Sequence, residues 1–380
     1  FFGFMMAFPG KKMSFMGSEF GQVSQWDYHG QLEWDLLENE GHRRMQTCIR
    51  ELNHIYARNC PLWQDESNKG SFYWIDPGRT DPDVVAFSRI DEEGDELLVP
   101  EPYYANYNTF AYMTGGKIHP IPTPAENGYH YAERSLIEPH INAHTRGILI
   151  SNPGNPTGVV LSPEEMRLMA DIAKEHGLFL ISDEVYREFV YGGEPLASMA
   201  QFDDAAENVV VVDSISKRFS ACGARVGILV SRNRELMAQA LKICQGRLCA
   251  ATLDQLGAAA LYGVGSDYFS AVREEYHRRR DTCMEGLSQI PGVVCECPKG
   301  AFYLMAKLPV DDTDKFQTWL LEEFQDNGET VMFAPGEGFY GTPGKGRDEV
   351  RLAYILKQAD LRRAMEVLAH GIEAYNSRKL

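Results

Sequence analysis

The chain has no paired CxxC spacing. Its eight cysteines, Cys48, Cys60, Cys222, Cys244, Cys249, Cys283, Cys295 and Cys297, also stand without the histidine spacing of a zinc site. A chain of 380 residues needs no disulfide framework, so these read as reduced thiols of a cytoplasmic protein. There is no apolar run of the about 20 residues that a membrane-spanning helix requires. The greasy opening FFGFMMAFPGKKMSFM has no basic stretch ahead of it and is interrupted by Pro9, Gly10, Lys11 and Lys12, which argues against a signal peptide. Positive charge is scarce: 37 Lys and Arg against 54 Asp and Glu leave a formal charge of -17. Such an acidic field repels phosphate, which excludes non-specific nucleic-acid binding and anionic membrane surfaces and leaves small molecules as the expected partners. Internal repeats and low-complexity segments are absent as well.

What is present falls into two textures. The hydrophobic share of 44% is enough for two or three globular units. Before residue 98 stand four of the five tryptophans, Trp26, Trp34, Trp63 and Trp74. Residues 11–17 read as a short buried strand, and residues 42–58 as a helix through Met45, Cys48, Ile49, Leu52 and Ile55. Residues 72–75 and 84–90 read as strands. From Gly94 an α/β pattern takes over, with short apolar strands expected at 96–99, 117–121, 147–151, 178–182, 209–213 and 225–230, the unalternated kind that a parallel sheet buries. Between them SPEEMRLMADIAKEHG carries a full set of helix signals: Ser162 as N-cap, Pro163 at the first position, Glu165 completing a capping box and Gly177 beyond the end. A long helix over 266–290 leads to strands at 294–297, 301–308, 331–334 and 350–355, then a closing helix from Gln358. That order predicts a large α/β domain followed by a smaller α+β domain.

Three segments at the carboxyl ends of apolar runs carry chemistry: SNPGNPTG (151–158), LISDEVY (180–186) and SISKRFSACGARVG (214–227). A lone lysine is ordinarily a solvated surface charge. Lys217 instead follows a hydrophobic strand, where partial burial and neighbouring cations lower the pKa of an amine and free it as a nucleophile. Asp183 ends another apolar strand, and an unpaired buried carboxylate there is costly unless a cation meets it. Tyr186 and Asn155 are hydrogen-bonding groups beside it. An amine to form a Schiff base, a carboxylate for a pyridine nitrogen, hydroxyls and an arginine for a phosphate: together these read as a pyridoxal-phosphate site.

SNPGNPTG, SDEVY, SISKRFSACGARVG, GAFYLMAKLP and VRLAYI resemble, in order and spacing, the class I/II aminotransferases of aspartate-aminotransferase type, over residues 94–380. The resemblance implies fold-type I: a large domain built on a mostly parallel sheet with helices on both faces, plus a small α+β carboxyl-terminal domain. It implies that Lys217 forms the Schiff base with pyridoxal 5'-phosphate and shuttles the proton, that Asp183 pairs with the pyridine nitrogen, and that Tyr186 and Asn155 bind the ring oxygen. Ser214, Ser216 and Arg225 would hold the phosphate, and Tyr104 would stack on the ring. Arg351 would clamp the substrate α-carboxylate. Arg247 is read first as a helix-end residue and second as a clamp for a distal carboxylate. The Asn155–Pro156 bond is a candidate for cis. The implied reaction moves an amino group between an L-amino acid, aspartate among the candidates, and a 2-oxo acid by ping-pong chemistry in a homodimer.

FPGKKMSFMGSEFGQ, QWDYHGQLEWDLLE, HRRMQTCIRELNHIY and FYWIDPGRTDPDVVAFSRI resemble the last strand and helix of the catalytic barrel of 1,4-alpha-glucan branching enzymes and the opening of their β-domain, over residues 4–98. The expected division is then a barrel-end fragment (1–70), the start of a β-domain (71–98), a pyridoxal-phosphate-binding large domain (99–265) and a linking helix with the small domain (266–380). Glu19, Asp27, Glu33 and Asp35 are expected to be structural or surface groups, because glycoside chemistry needs two carboxylates held across the bond by a complete barrel. The aminotransferase family's amino-terminal arm and glycine-rich phosphate turn have no counterpart in this reading. A catalytically impaired remnant is therefore the alternative function, with glucan branching a third. The two grammars meet within GDELLV (94–99), which suits either; an accidental fusion, a fragmentary gene model and a natural fusion all accord with that join.

Overall fold

The computed structural model of the chain describes residues 1–25, 27–63, 72–74, 87–89, 95–192 and 196–378. The chain divides into two compact units, Phe1–Asp95 with Ala111–Gly116, and Glu96–Phe110 with Lys117–Leu380.

In the first unit, α1 (Phe2–Ala7) is followed by α2 (Glu40–Arg58), which starts where the Asn39 side chain accepts a bond from the Gly41 amide. α2 matches the helical spacing read from the sequence, and Ile49 is its buried residue. β1 (Phe72–Trp74) and β2 (Phe87–Arg89) pair antiparallel, Phe72 opposite Arg89. Residue 75 and residues 84–86 and 90 of the expected strands lie outside the described residues, as does Trp26. The rings of Phe4, Phe8, Phe72 and Phe87 cluster at 5.0 to 6.0 Å. The strand expected over 11–17 does not form: the stretch is irregular and then turns. A strand needs a neighbour to satisfy its amides and carbonyls, and no described strand pairs with this one. Six-residue α1 went unread, because Pro9 and Gly10 close behind it mask so short a helix.

The second unit is built on a six-stranded sheet in the order β4 (Lys117–Pro122), β3 (Glu96–Glu101), β5 (Thr145–Ser151), β6 (Phe179–Asp183), β7 (Val209–Ser214) and β8 (Gly227–Ser231). Five strands are parallel, and β8 alone runs antiparallel to β7. The apolar run at 225–230 was expected to be a buried parallel strand; it is an edge strand with Leu229 and Val230 exposed. What lies between β7 and β8 is the one-turn helix α6 (Ile215–Arg218) and a 3-10 turn (Cys222–Ala224), not a helix that could carry the chain across the sheet face, so it doubles back.

Helix α3 (Asn106–Thr114) follows β3, α4 (Arg134–Ile137) is a single turn before β5, and α5 (Pro163–Glu175) connects β5 to β6. α5 begins with the anticipated capping box: Ser162 Oγ accepts from the Glu165 amide at 3.2 Å, and Glu165 Oε2 from the Ser162 amide at 2.7 Å. Its Met166, Met169, Ala170, Ile172 and Ala173 pack with Leu98, Ile148, Ile150 and Leu180 of the sheet, while Val99 and Leu149 face the opposite side with Tyr103 and Tyr107. A sheet covered on both faces explains the unalternated runs.

After α7 (Arg234–Arg247) and α8 (Thr252–Leu261), the long helix α9 (Ser266–Ser288) leads to the small antiparallel sheet. Its strand order is β10 (Ala334–Pro335), β11 (Glu349–Ala353), β9 (Tyr303–Lys307). α10 (Thr313–Glu322) lies between β9 and β10, and α11 (Gln358–Ser377) closes the chain. Leu304, Ala306, Val350 and Leu352 share a core with Leu361, Met365, Leu368 and Ile372 of α11 and Cys283 and Leu287 of α9. The strand expected at 294–297 reduces to one bridge, Val294 with Lys307. Lys299 and Gly300 donate instead to the Gly158 carbonyl, each at 2.9 Å, which draws the chain away from β9.

Candidate active site

The parallel strands β5, β6 and β7 end on the same side of the sheet, and that is where the candidate residues gather. Ser151 lies opposite Asp183 in register, and Asp183 opposite Val212 near the end of β7. Ligands of open α/β sheets sit at the carboxyl ends of the strands.

Asp183 is half-buried. Tyr107 Oη donates to its Oδ2 at 2.8 Å and the Val185 amide to its Oδ1 at 3.2 Å. Burial raises the pKa of this carboxyl, the two hydrogen bonds oppose that rise, and Asp213 adds to it. No cationic side chain pairs with Asp183 among the described residues. Tyr107 in turn is pushed well above the ordinary tyrosine value by burial and by the Asp183 charge. The Tyr104 ring meets Tyr107 edge-on at 5.6 Å, so the candidate stacking residue joins the same cluster; its hydroxyl accepts from Asn106 Nδ2 at 2.8 Å.

Tyr186 Oη donates to Tyr303 Oη at 3.3 Å. Burial comes first among the causes that raise its pKa, followed by Tyr303 and Asp183, against a lowering influence of Arg351. Arg351, on β11, lies between two rings, its Cζ 4.4 Å from the Tyr303 centroid and 4.7 Å from that of Phe339. Its Nη1 donates to Asn155 Oδ1 at 3.1 Å, and its Nε is buried with no protein partner. Asn155 follows β5 in a turn whose Asn155–Pro156 bond is cis, as the sequence allowed.

Lys217 is on α6, half-buried, its Nζ 5.8 Å from the Phe302 centroid. That ring stands edge-on to Tyr186 at 5.1 Å. The neighbouring cation anticipated beside Lys217 is neutralised: Arg218, half-buried, bonds Asp213 at 2.6 Å, with Glu188 at 3.4 Å. Ser214 Oγ caps α6 by accepting from the Ser216 amide at 3.3 Å, and Ser216 is buried. Arg225 is exposed, donates to the Cys222 carbonyl at 3.0 Å and holds a left-handed φ of 54°, a conformation uncommon outside glycine. Arg247 is not brought to this cluster: it lies exposed in the last turn of α7, which fits its reading as a helix-end residue.

Two orphaned groups define what the site accepts. A half-buried carboxylate without a cation suits a protonated pyridine nitrogen, and a buried guanidinium Nε without an acceptor suits a carboxylate. Lys217 supplies an amine, and Ser214, Ser216 and Arg225 share the turn that contains it. The donor set therefore fits pyridoxal phosphate with an amino-acid substrate. Sequence reasoning missed Tyr107, Tyr303 and Phe339, although Tyr303 stands inside the quoted GAFYLMAKLP.

Comparison with known proteins agrees. The family described as aminotransferase class I and II matches residues 78–368, which extends the resemblance toward the amino end beyond residue 94. An aspartate aminotransferase of Bacillus subtilis is 30% identical over 348 residues, 89% of this chain and 86% of that protein. A probable aspartate/prephenate aminotransferase of Aquifex aeolicus is 32% identical over 76% of the chain and 73% of its own length. Among solved structures, the aromatic aminotransferase of Pyrococcus horikoshii superposes with a TM-score of 0.67 at 29% identity, covering 75% of this chain and 74% of that one. Thermus thermophilus aspartate aminotransferase with maleate gives 0.65 at 29% identity, covering 73% and 70%. The chain belongs to the class I and II aminotransferases, pyridoxal-phosphate-dependent enzymes of fold type I.

Proposed function

We propose that this chain transfers an amino group between an L-amino acid and a 2-oxo acid by ping-pong chemistry, with an acidic or broad amino donor such as aspartate and 2-oxoglutarate as acceptor. The observation that carries the reading is a pair of unmet needs: Asp183 half-buried, its pKa raised by that burial, without a cation, and Arg351 Nε buried without an acceptor. Pyridoxal phosphate, when bound, supplies an electron sink that permits the Cα–H bond of the amino acid to break. The chain's residues do the rest. Lys217 would hold the cofactor covalently through its Nζ and, with that amine free, would hold and return the migrating proton there. Asp183 would keep a proton on the pyridine nitrogen, with Tyr107 orienting its carboxylate. Asn155 and Tyr186 would bind the ring oxygen, Tyr104 would stack on the ring, and Ser214, Ser216 and Arg225 would hold the phosphate. Arg351 offers its planar fork to the α-carboxylate, steered by Asn155 and the two flanking rings.

Arg247 remains the candidate for a distal carboxylate only if that carboxylate is presented at the end of α7. A homodimer belongs to the same reading, supported by Leu241, Ile243, Leu248, Leu253 and Leu256, which expose apolar surface along α7, α8 and the turn between them. So do a cytoplasmic location and the division into a large domain over 99–265 and a small one over 266–380. Supporting the impaired-remnant alternative is Arg225, turned to a backbone carbonyl and exposed. The branching-enzyme resemblance of residues 4–98 adds no rival chemistry, since Glu33 spends its carboxylate on the Val23 and Ser24 amides and the Ser24 hydroxyl, bonds that lower its pKa.

Borohydride reduction of the protein mixed with pyridoxal phosphate, followed by peptide mapping, is expected to place the label on Lys217, and rapid amino-donor turnover distinguishes the active enzyme from a remnant. Label on another lysine, or on none, overturns the assignment.

A further inference from the structure

Glu101 ends β3 as a carboxylate with 1% of its surface exposed. Its Oε2 accepts from two successive amides, Gly341 and Thr342, each at 3.0 Å. Two residues on, the Tyr103 amide donates to the Phe339 carbonyl at 2.8 Å. Three bonds thus tie the end of a large-sheet strand to one turn, residues 337–342, which belongs to the small-sheet region. The fit is close: a side chain at Gly341 would bring its Cβ within 2.6 Å of Tyr103 Oη. That turn carries Phe339, one of the two rings that flank the Arg351 guanidinium. The turn is also braced from the β11 side, where the Gly336 amide donates to the Glu349 carbonyl at 2.8 Å and Tyr340 Oη to Glu349 Oε2.

The other oxygen of Glu101, Oε1, is buried and has no protein hydrogen-bond partner. Glu101 lines a cavity of about 20 Å³, with Tyr107, Ser151 and Asn155 also in its wall, which is room for a single water. A buried carboxylate is held in place by the donors it has, and here those donors are the backbone of the Phe339 turn. The Arg351 guanidinium has three supports, the Asn155 bond and the two rings, so releasing one ring frees part of its orientation.

We infer that Glu101 is a positioning residue for substrate-carboxylate recognition: by fixing the Gly341 and Thr342 amides it seats Phe339 on Arg351 and so sets the direction of the guanidinium fork. This rests on the aminotransferase reading, in which Arg351 binds the α-carboxylate. Glu101 does not itself touch substrate.

Steady-state kinetics of the full chain loaded with pyridoxal phosphate test it. Glu101→Ala is expected to raise KM for amino donor and oxo acid together by about thirtyfold, the scale of a desolvated cation–π contact, with kcat within about threefold. The absorbance titration with pyridoxal phosphate should be unchanged. Phe339→Ala should do the same, and the double variant should be no worse than Phe339→Ala alone, because both act through one contact. Glu101→Gln keeps an acceptor for both amides and should rescue KM. Glu101→Asp, whose carboxylate is too short to reach them, should not, which keeps the test alive if the alanine variant fails to fold. KM unmoved in both the Ala and Asp variants, or Glu101 and Phe339 effects that add, overturns the proposal. A native protein that neither binds cofactor nor turns over would sink the aminotransferase reading itself, a different result.

Discussion

Asp183 carries an energetic cost until a cation sits against it. Its pKa in the fold lies above that of the unfolded chain, with burial as the main cause. The folded form therefore retains a proton that the unfolded form has lost, and the stability of cofactor-free protein falls as pH climbs from the ordinary carboxylate range through the folded value, then levels off. Asp183→Asn removes that cost. Calorimetry of the cofactor-free protein at pH 7 should show the variant melting above the native protein, with the gap closing toward pH 4. Turnover of the same variant should drop roughly a hundredfold or more, as expected when a buried charge partner worth about 3–5 kcal/mol is lost. A variant that melts no higher at pH 7 would mean the carboxylate is already compensated in the empty site. Asp183 and Lys217 were legible because each follows an apolar run, where a charge has no cheap explanation. Arg351, inside VRLAYI, was legible only through the family motif. Tyr107 was not, because its bond to Asp183 spans 76 residues and a tyrosine three positions after Tyr104 looks like ordinary core. Glu101, whose partners lie 240 residues on, left no local trace at all.

Elements with local signals came through best. The capping box at Ser162 and Glu165 places the start of α5 to the residue, because every group it needs lies within three positions. Ser162→Ala should cost about 1 kcal/mol without touching the site, since α5 packs on the sheet face away from Tyr103 and Tyr107. A lower urea midpoint with an unchanged slope and unchanged kcat/KM would show this; a loss of activity would mean that α5 carries strain into the strand ends. Elements defined by pairing fared worse. The run at 225–230 gave the right location for β8 and the wrong direction, because apolar content says that a strand forms but not which way it enters the ladder. Residues 294–297 and 11–17 had the composition of strands, yet the first keeps one bridge before Lys299 and Gly300 turn to the Gly158 carbonyl, and the second pairs with no described strand.

At the scale of the whole molecule, the two compact units differ in what can stabilise them. Every candidate cofactor ligand, Tyr104, Asn155, Asp183, Tyr186, Ser214, Ser216, Lys217 and Arg225, belongs to the second unit, whose cores run through both sheets. The first unit has few buried apolar residues among those described, Met6, Phe20, Ile49 and Ala111, and exposes Phe1, Met13, Phe15 and Val23. A ligand that binds only the folded form raises stability by mass action, about 2.7 kcal/mol at a hundred times its Kd. Tryptophan makes the two units separately visible, since Trp319 is the second unit's only one and is buried in the small-sheet core, while the other four precede residue 95. Thermal unfolding of Trp319→Phe therefore reports the first unit by fluorescence. The difference between native and variant signals reports the second. Saturating pyridoxal phosphate is expected to raise the midpoint of the Trp319 signal by several degrees and to leave the first unit's midpoint where it was, at the lower temperature of the two. If both signals melt together and move together, the units fold as one cooperative body, and the amino-terminal residues stabilise the aminotransferase fold itself.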